Sequence, residues 1–219
     1  MPDAGIQEGR FFTSDLSASN NTKVQIYGQY TTAAGLGQDA VAPGLDQSKT
    51  LLILLHGLTY DHDYWDMPEI GSQYSFVEAA KNDGYDTLAI DRLGEGQSSK
   101  PSADLVNVDN QAYITDQIIQ QIRAGGLGTN YDKIILVGHS YGSVLSIKTA
   151  GTYNDVDGVV LTGLAHGTSS PDSTGLFVPA STDPNLPPEQ QQPGYLTSAD
   201  RKKRVFLQYR GRRSACHRS

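Results

Sequence analysis

Three short stretches of the chain are apolar at consecutive rather than alternate positions: residues 50–55 (Thr-Leu-Leu-Ile-Leu-Leu), 86–90 (Asp-Thr-Leu-Ala-Ile) and 134–137 (Ile-Ile-Leu-Val). A strand that is apolar on both faces is buried on both, as in a parallel sheet covered by helices. Residues 156–162 (Val-Asp-Gly-Val-Val-Leu-Thr) supply a fourth such strand. Between the runs, residues 74–82 and 108–123 have helical character, and the second places Ala112, Ile118, Ile119 and Ile122 on one side. Strand and helix in alternation predict an α/β fold with a mostly parallel sheet flanked by helices. Residues 23–30 read differently. Val24, Ile26, Gly28 and Tyr30 alternate with polar positions, which fits an antiparallel strand leading into the sheet. Residues 1–22 are predicted to be a flexible N-terminal segment, with Phe11-Phe12 the only strand start they offer, and residues 31–49 a surface connection.

Each of the first three apolar runs ends in a glycine-bearing loop. The first leads into His56-Gly57-Leu58, the second into Asp91-Arg92-Leu93-Gly94-Glu95-Gly96-Gln97-Ser98, and the third into Gly138-His139-Ser140-Tyr141-Gly142. The last is a G-x-S-x-G pattern between a strand and a helix. A strand that turns into a helix within about one residue leaves no room for a Cβ where the segments meet, hence glycine two places either side of the serine. The serine is thereby exposed at the carboxyl end of the sheet, where ligands of open α/β sheets bind.

On these three ordered motifs the chain resembles the α/β-hydrolase family over residues 20–165. The resemblance implies that Ser140 is the nucleophile and that the backbone N–H groups of Leu58 and Tyr141 form the oxyanion hole. It assigns His56 to holding the loop that presents Leu58. With Gly57, Tyr60 and Trp65, His56 makes up the expected substrate-binding set, and the aromatic side chains beside the oxyanion loop suit a partly apolar acyl or aryl group. The resemblance further implies two more parallel strands, carrying the catalytic acid and then a histidine. After Thr162 only residues 205–209 offer a brief apolar candidate, so the core is expected to lack the last strands.

A serine hydroxyl needs a base, and five histidines are available. His139 adjoins Ser140 and diverges from it along an extended segment. His62 reads as a solvated surface residue, and His217 has no strand around it. His166, just after the fourth parallel strand, is the one candidate for a stand-in base, but it departs from the family order of Ser, acid, His. None of Asp172, Asp183, Glu189 and Asp200 follows a convincing strand, so the sequence offers no credible complete triad and leaves a catalytically incomplete hydrolase-like chain as the alternative. No His/Cys cluster has metal-ligand spacing, and the glycine-rich stretches carry no dinucleotide or phosphate-loop fingerprint. No metal or cofactor is expected.

Composition adds boundaries. Residues 171–193 hold six of the ten prolines and the run Pro187-Pro188-Glu189-Gln190-Gln191-Gln192-Pro193, a composition that cannot build a core strand. Because the resemblance implies a cap or lid after the fourth parallel strand, the predicted organisation is a core over 23–168, a cap or lid segment over 169–200, with a disordered linker the alternative for that segment, and a basic tail over 201–219. All 24 acidic residues lie in the first 200 positions, against nine basic ones there and eight in the tail. The acidic body disfavours a nucleic-acid partner. The tail also lacks apolar periodicity, and is expected to be non-native sequence. The one cysteine, Cys216, excludes disulfide scaffolding. Without an apolar stretch of ~18 residues or a leader-like start, no membrane partner is expected and the cytoplasm is the default location, with secretion reopened if the true start lies upstream. The expected partner is a small ester-like molecule, and the sequence leaves oligomeric state open.

Overall fold

The computed structural model describes residues 6–33, 49–67, 70–164, 177–184 and 186–198. The chain separates into two compact units, residues 1–166 and 167–219.

The first unit is built on a six-stranded sheet: β1 (Gln7–Ser17), β2 (Asn20–Thr31), β3 (Thr50–Leu55), β4 (Asp86–Ile90), β5 (Lys133–His139) and β6 (Gly158–Thr162). Their order across the sheet is β1-β2-β4-β3-β5-β6, with β1, β2 and β4 antiparallel to their neighbours in turn and β4, β3, β5 and β6 parallel. Every residue of β3 and β4 is buried, as consecutive apolar runs require of central strands. Helices α2 (Val108–Arg123) and α3 (Tyr141–Tyr153) belong to the larger core; Ala112, Ile118, Ile119 and Ile122 of α2 pack there with Leu51, Ile53 and Leu55 of β3. Leu52 and Leu54 point the other way, into a smaller core with Trp65 and with Val77 and Ala80 of α1 (Phe76–Asn82). The period of 2 along β3 thus supplies both layers.

Helix α1 starts at Ser75, whose Oγ accepts the N–H of Glu78 at 2.9 Å from a buried position. Ser75→Ala should cost about 1 kcal/mol in chemical unfolding, and a variant as stable as the parent would show that the cap contributes nothing.

One expectation is corrected. The segment 1–22, predicted to be flexible, contains the 11-residue strand β1 and the start of β2. Phe12, Ser14 and Leu16 face inward, and Gln117 of α2 grips the strand through its side-chain amide, accepting from Asp15 N–H at 2.8 Å and donating to Asp15 O at 2.9 Å. At the opposite edge Val159, Val160 and Leu161 of β6 are each about two-fifths exposed.

In the second unit the described residues form a small antiparallel hairpin, β7 (Phe177–Pro179) with β8 (Leu196–Ser198), joined through short 3₁₀ turns. His166, His217 and the basic tail lie outside the described residues. Among the described residues no helix is long and apolar enough to cross a membrane.

Candidate active site

Ser140 stands between the end of β5 and the first residue of α3, with φ 52° and ψ −115°. A serine at positive φ is uncommon and persists only where its surroundings over-determine it. Here they do. Its N–H donates to Thr162 O of β6 at 2.9 Å, and Ser143 Oγ bridges Gly138 O and Thr162 O while accepting Thr162 N–H. A Cβ on Gly142 would overlap the Leu55 carbonyl, and one on Gly138 the Gly142 backbone, so the two glycines of the pattern are steric requirements. Among the described residues nothing hydrogen-bonds Ser140 Oγ.

The loop after β3 lies against this elbow: a Cβ on Gly57 would sit 3.3 Å from Ser140 Cβ and 3.2 Å from the Tyr60 ring. Leu58 is nearly half exposed, and Thr59 holds φ 66°, a strained value for a β-branched residue. The N–H groups of Leu58 and Tyr141 find no acceptor among the described residues. These two donors, one in the loop after β3 and one at the start of α3, flank the half-buried Ser140.

Of the expected substrate contacts, Gly57 borders the serine and Tyr60 lies against Gly57, whereas His56 and Trp65 do not present themselves and are corrected on that point. His56 is fully buried. Its Nε2 faces the N–H of Arg92 at 3.1 Å and must accept, so the proton sits on Nδ1, which donates to Gly57 O at 2.9 Å. Burial, helped by the Arg92 charge, lowers its pKa to about 3 and keeps it neutral. Trp65 is buried edge-on between Tyr64 and Phe76. The aromatic wall is instead Tyr60, Tyr64 and His139, with the His139 ring stacked on Tyr64 at 4.7 Å and Tyr60 4.9 Å from Tyr64. His139 also meets Thr162 Oγ1 at 3.2 Å, and burial holds its pKa below the usual value.

Two groups near the site went unread in the sequence. His62, expected on the solvated surface, is buried, with Nδ1–H donating to Asp91 Oδ1 at 2.7 Å. Burial alone would lower its pKa, but the bond and charge of Asp91 prevail and raise it. The same pairing carries Asp91 below the usual carboxylate range against the upward pull of its own burial. Asp91 also accepts the N–H groups of His62 and Gln97, tying the loops after β3 and β4 together, and a Cβ on Gly96 would overlap its carboxylate. Asp61 joins them to put three ligand-type atoms within 4.8 Å, a grouping that sequence spacing does not reveal. The second is Arg92, buried behind the Gly57–Leu58 peptide. The D-x-x-G-x-G-x-S motif marked the loop that carries it, but no linear signal shows that an arginine points inward.

Comparison with known proteins agrees with this architecture. Residues 50–216 match the family model described as alpha/beta hydrolase fold. Epoxide hydrolase 1 of Caenorhabditis elegans is 31% identical over 108 residues, 49% of this chain and 23% of that protein. Epoxide hydrolase 3 of Xenopus tropicalis is 29% identical over 123 residues, 56% of this chain and 29% of that one. The chain thus spans about a quarter of the length of the curated relatives it matches. The alpha/beta hydrolase GrgF from Penicillium sp. sh18 superposes with a TM-score of 0.51 at 15% identity, over 71% of this chain and 45% of that structure, a likeness of fold. With a family match over most of its length and the strand, loop and elbow arrangement described above, the chain belongs to the α/β-hydrolase fold family.

Proposed function

We propose that this chain is a serine hydrolase that cleaves an ester or related acyl bond through an acyl-enzyme on Ser140. The observation that carries the reading is Ser140 held at positive φ, with the N–H groups of Leu58 and Tyr141 lacking an acceptor among the described residues. Ser140 Oγ attacks the acyl carbon, the carbonyl π pair moves onto oxygen, and that oxyanion is received by the two N–H groups. Collapse breaks the bond to the leaving alcohol, which takes the proton lost by the serine. Water then cleaves the acyl-enzyme and restores the hydroxyl. The candidate for a stand-in base is His166, four residues beyond the end of β6. Tyr60 and Tyr64 suit an apolar or aryl acyl group.

The names of the curated relatives suggest an epoxide instead, and chemistry separates the two. A serine oxygen that opened an epoxide would leave an ether, which water does not readily release. The same oxygen on an acyl carbon leaves an ester, which water cleaves. A serine at this position therefore favours acyl substrates.

Because no described residue hydrogen-bonds Ser140 Oγ, a second reading is a catalytically incomplete chain that binds acyl compounds and turns them over slowly, by about 10³ over water from oxyanion binding and positioning alone. Treatment with a fluorophosphonate followed by peptide mass spectrometry tests both. Labelling on Ser140, lost in Ser140→Ala, with ester turnover that falls about 10⁴-fold in His166→Ala, supports the complete enzyme. Labelling with turnover indifferent to His166→Ala supports the incomplete one. A folded wild type that carries no adduct on Ser140 refutes the acyl-enzyme.

A further inference from the structure

The Gly57–Leu58 peptide is held from behind. Its carbonyl accepts Arg92 Nη2–H at 3.0 Å and His56 Nδ1–H at 2.9 Å. Arg92 Nε–H donates to the preceding carbonyl, His56 O, at 3.1 Å, and Nη1–H donates to Gln111 Oε1 at 3.0 Å. The guanidinium carbon lies 4.7 Å from the centroid of the Tyr141 ring, and Gln111 Nε2–H reaches Tyr141 Oη at 3.1 Å. One buried side chain therefore touches both the carbonyl of the Gly57–Leu58 peptide and the ring of Tyr141, the two places to which the oxyanion donors are assigned. Its nearest carboxylate, Glu95, is 3.7 Å away and about a third exposed, so backbone carbonyls and an amide do most of the solvating of the guanidinium.

We propose that Arg92 is the positioning residue of the oxyanion hole, fixing and polarising the Gly57–Leu58 peptide from its carbonyl side while bracing Tyr141. The inference rests on the acyl-enzyme reading above. A peptide unit is planar, so pinning its carbonyl sets the direction in which the Leu58 N–H points. Donors on that carbonyl also strengthen the N–H on the far side of the same unit, an effect that grows in a dry interior. The strained φ of Thr59 gives the loop a reason to relax elsewhere, and the guanidinium fork opposes it. A point-charge ammonium cannot make the same contacts, because three separate acceptors are met by three nitrogens of one plane.

The test compares wild type, Arg92→Lys and Gln111→Glu for the rate of fluorophosphonate labelling at Ser140, read by intact-protein mass spectrometry beside thermal unfolding. Arg92→Lys should label about 10²-fold more slowly, the loss typical of one oxyanion donor. Gln111→Glu keeps the fork in place but sets a carboxylate against the guanidinium. Its rate relative to wild type at the same pH should be depressed while the introduced carboxylate is ionised and recover as falling pH protonates it, a profile that a merely structural role would not impose. Wild-type rates in both folded variants overturn the proposal. If Arg92→Lys fails to fold, a pH-independent ratio in Gln111→Glu overturns it. A wild type unlabelled at Ser140 removes the acyl-enzyme reading and the proposal with it, a result distinct from equal labelling of all three.

Discussion

Gly142→Ala should destabilise the chain by at least about 3 kcal/mol, while Gly151→Ala, nine residues along the same helix, should stabilise it by about 0.5–1 kcal/mol. At 142 a Cβ overlaps the Leu55 carbonyl, with His56 O also close. Neither can yield easily: β3 is buried along its whole length and paired in parallel on both sides. Helix α3 would have to lift from the sheet, and Ser140 would lose the register that joins it to Thr162. At 151 a Cβ meets nothing within 4 Å, so only the conformational gain of alanine over glycine in a helix remains. Urea unfolding of the two variants checks both signs. Similar losses at 142 and 151 would mean that close approach of helix and strand does not set the elbow, and the steric account of the G-x-S-x-G pattern would fail.

That account explains why the elbow at Ser140 was legible in the sequence. The glycines at 138 and 142 are fixed by atoms of the immediate strand–turn–helix and of the adjacent strand, and a constraint so local leaves a linear trace. Strands β3, β4 and β5 were legible for a related reason: two-sided burial turns every position apolar, and 108–123 could be read as a helix because one face meets the core. Strand β1 was not, because its inward positions include Ser14 and its hold on the fold is the amide of Gln117, 102 residues away. Polar inward positions erase the period of 2, and a distant partner leaves no local mark.

The same limit applied to the site. His62 looked like a surface residue among Tyr60, Asp61, Asp63 and Tyr64, and only the fold brings Asp91 to its ring across 29 positions. Arg92 followed an acid in a glycine-rich loop, a setting that ordinarily means solvent, yet its acceptors are carbonyls of the loop after β3. Charged groups buried by mutual pairing are invisible to hydropathy, because the side chains that compensate them lie far along the chain. The resemblance pointed to the loop that carries Leu58, and the buried groups that hold that loop left no linear signal.

His56 should remain neutral down to about pH 3, and its imidazole signals in a nuclear magnetic resonance titration should stay unchanged between pH 8 and 4. The cause is burial first and the Arg92 charge second, with the Gly57 bond too weak to reverse them. In the unfolded chain the same group titrates near 6.5. Below that pH the unfolded state therefore takes up a proton that the folded state refuses, and His56 withdraws about 1.4 kcal/mol of stability for each unit of acidification until about pH 3. Other groups act in the same range: Glu95, pushed up to about 7 by burial, and Asp155, pushed up to about 6, bind protons on folding and offset part of the loss. The His62–Asp91 pair behaves differently again. Its histidine contribution is fully present below 6.5 and fades as pH climbs through the raised pKa of His62. Comparison with His56→Asn isolates the one group: the stability advantage of wild type over the variant should shrink steadily as pH falls from 6.5 to 4.5. A constant difference over that range, or an imidazole that titrates near 6, would mean that His56 is not locked between Arg92 N–H and Gly57 O, and the loop that presents Leu58 would lose its neutral anchor.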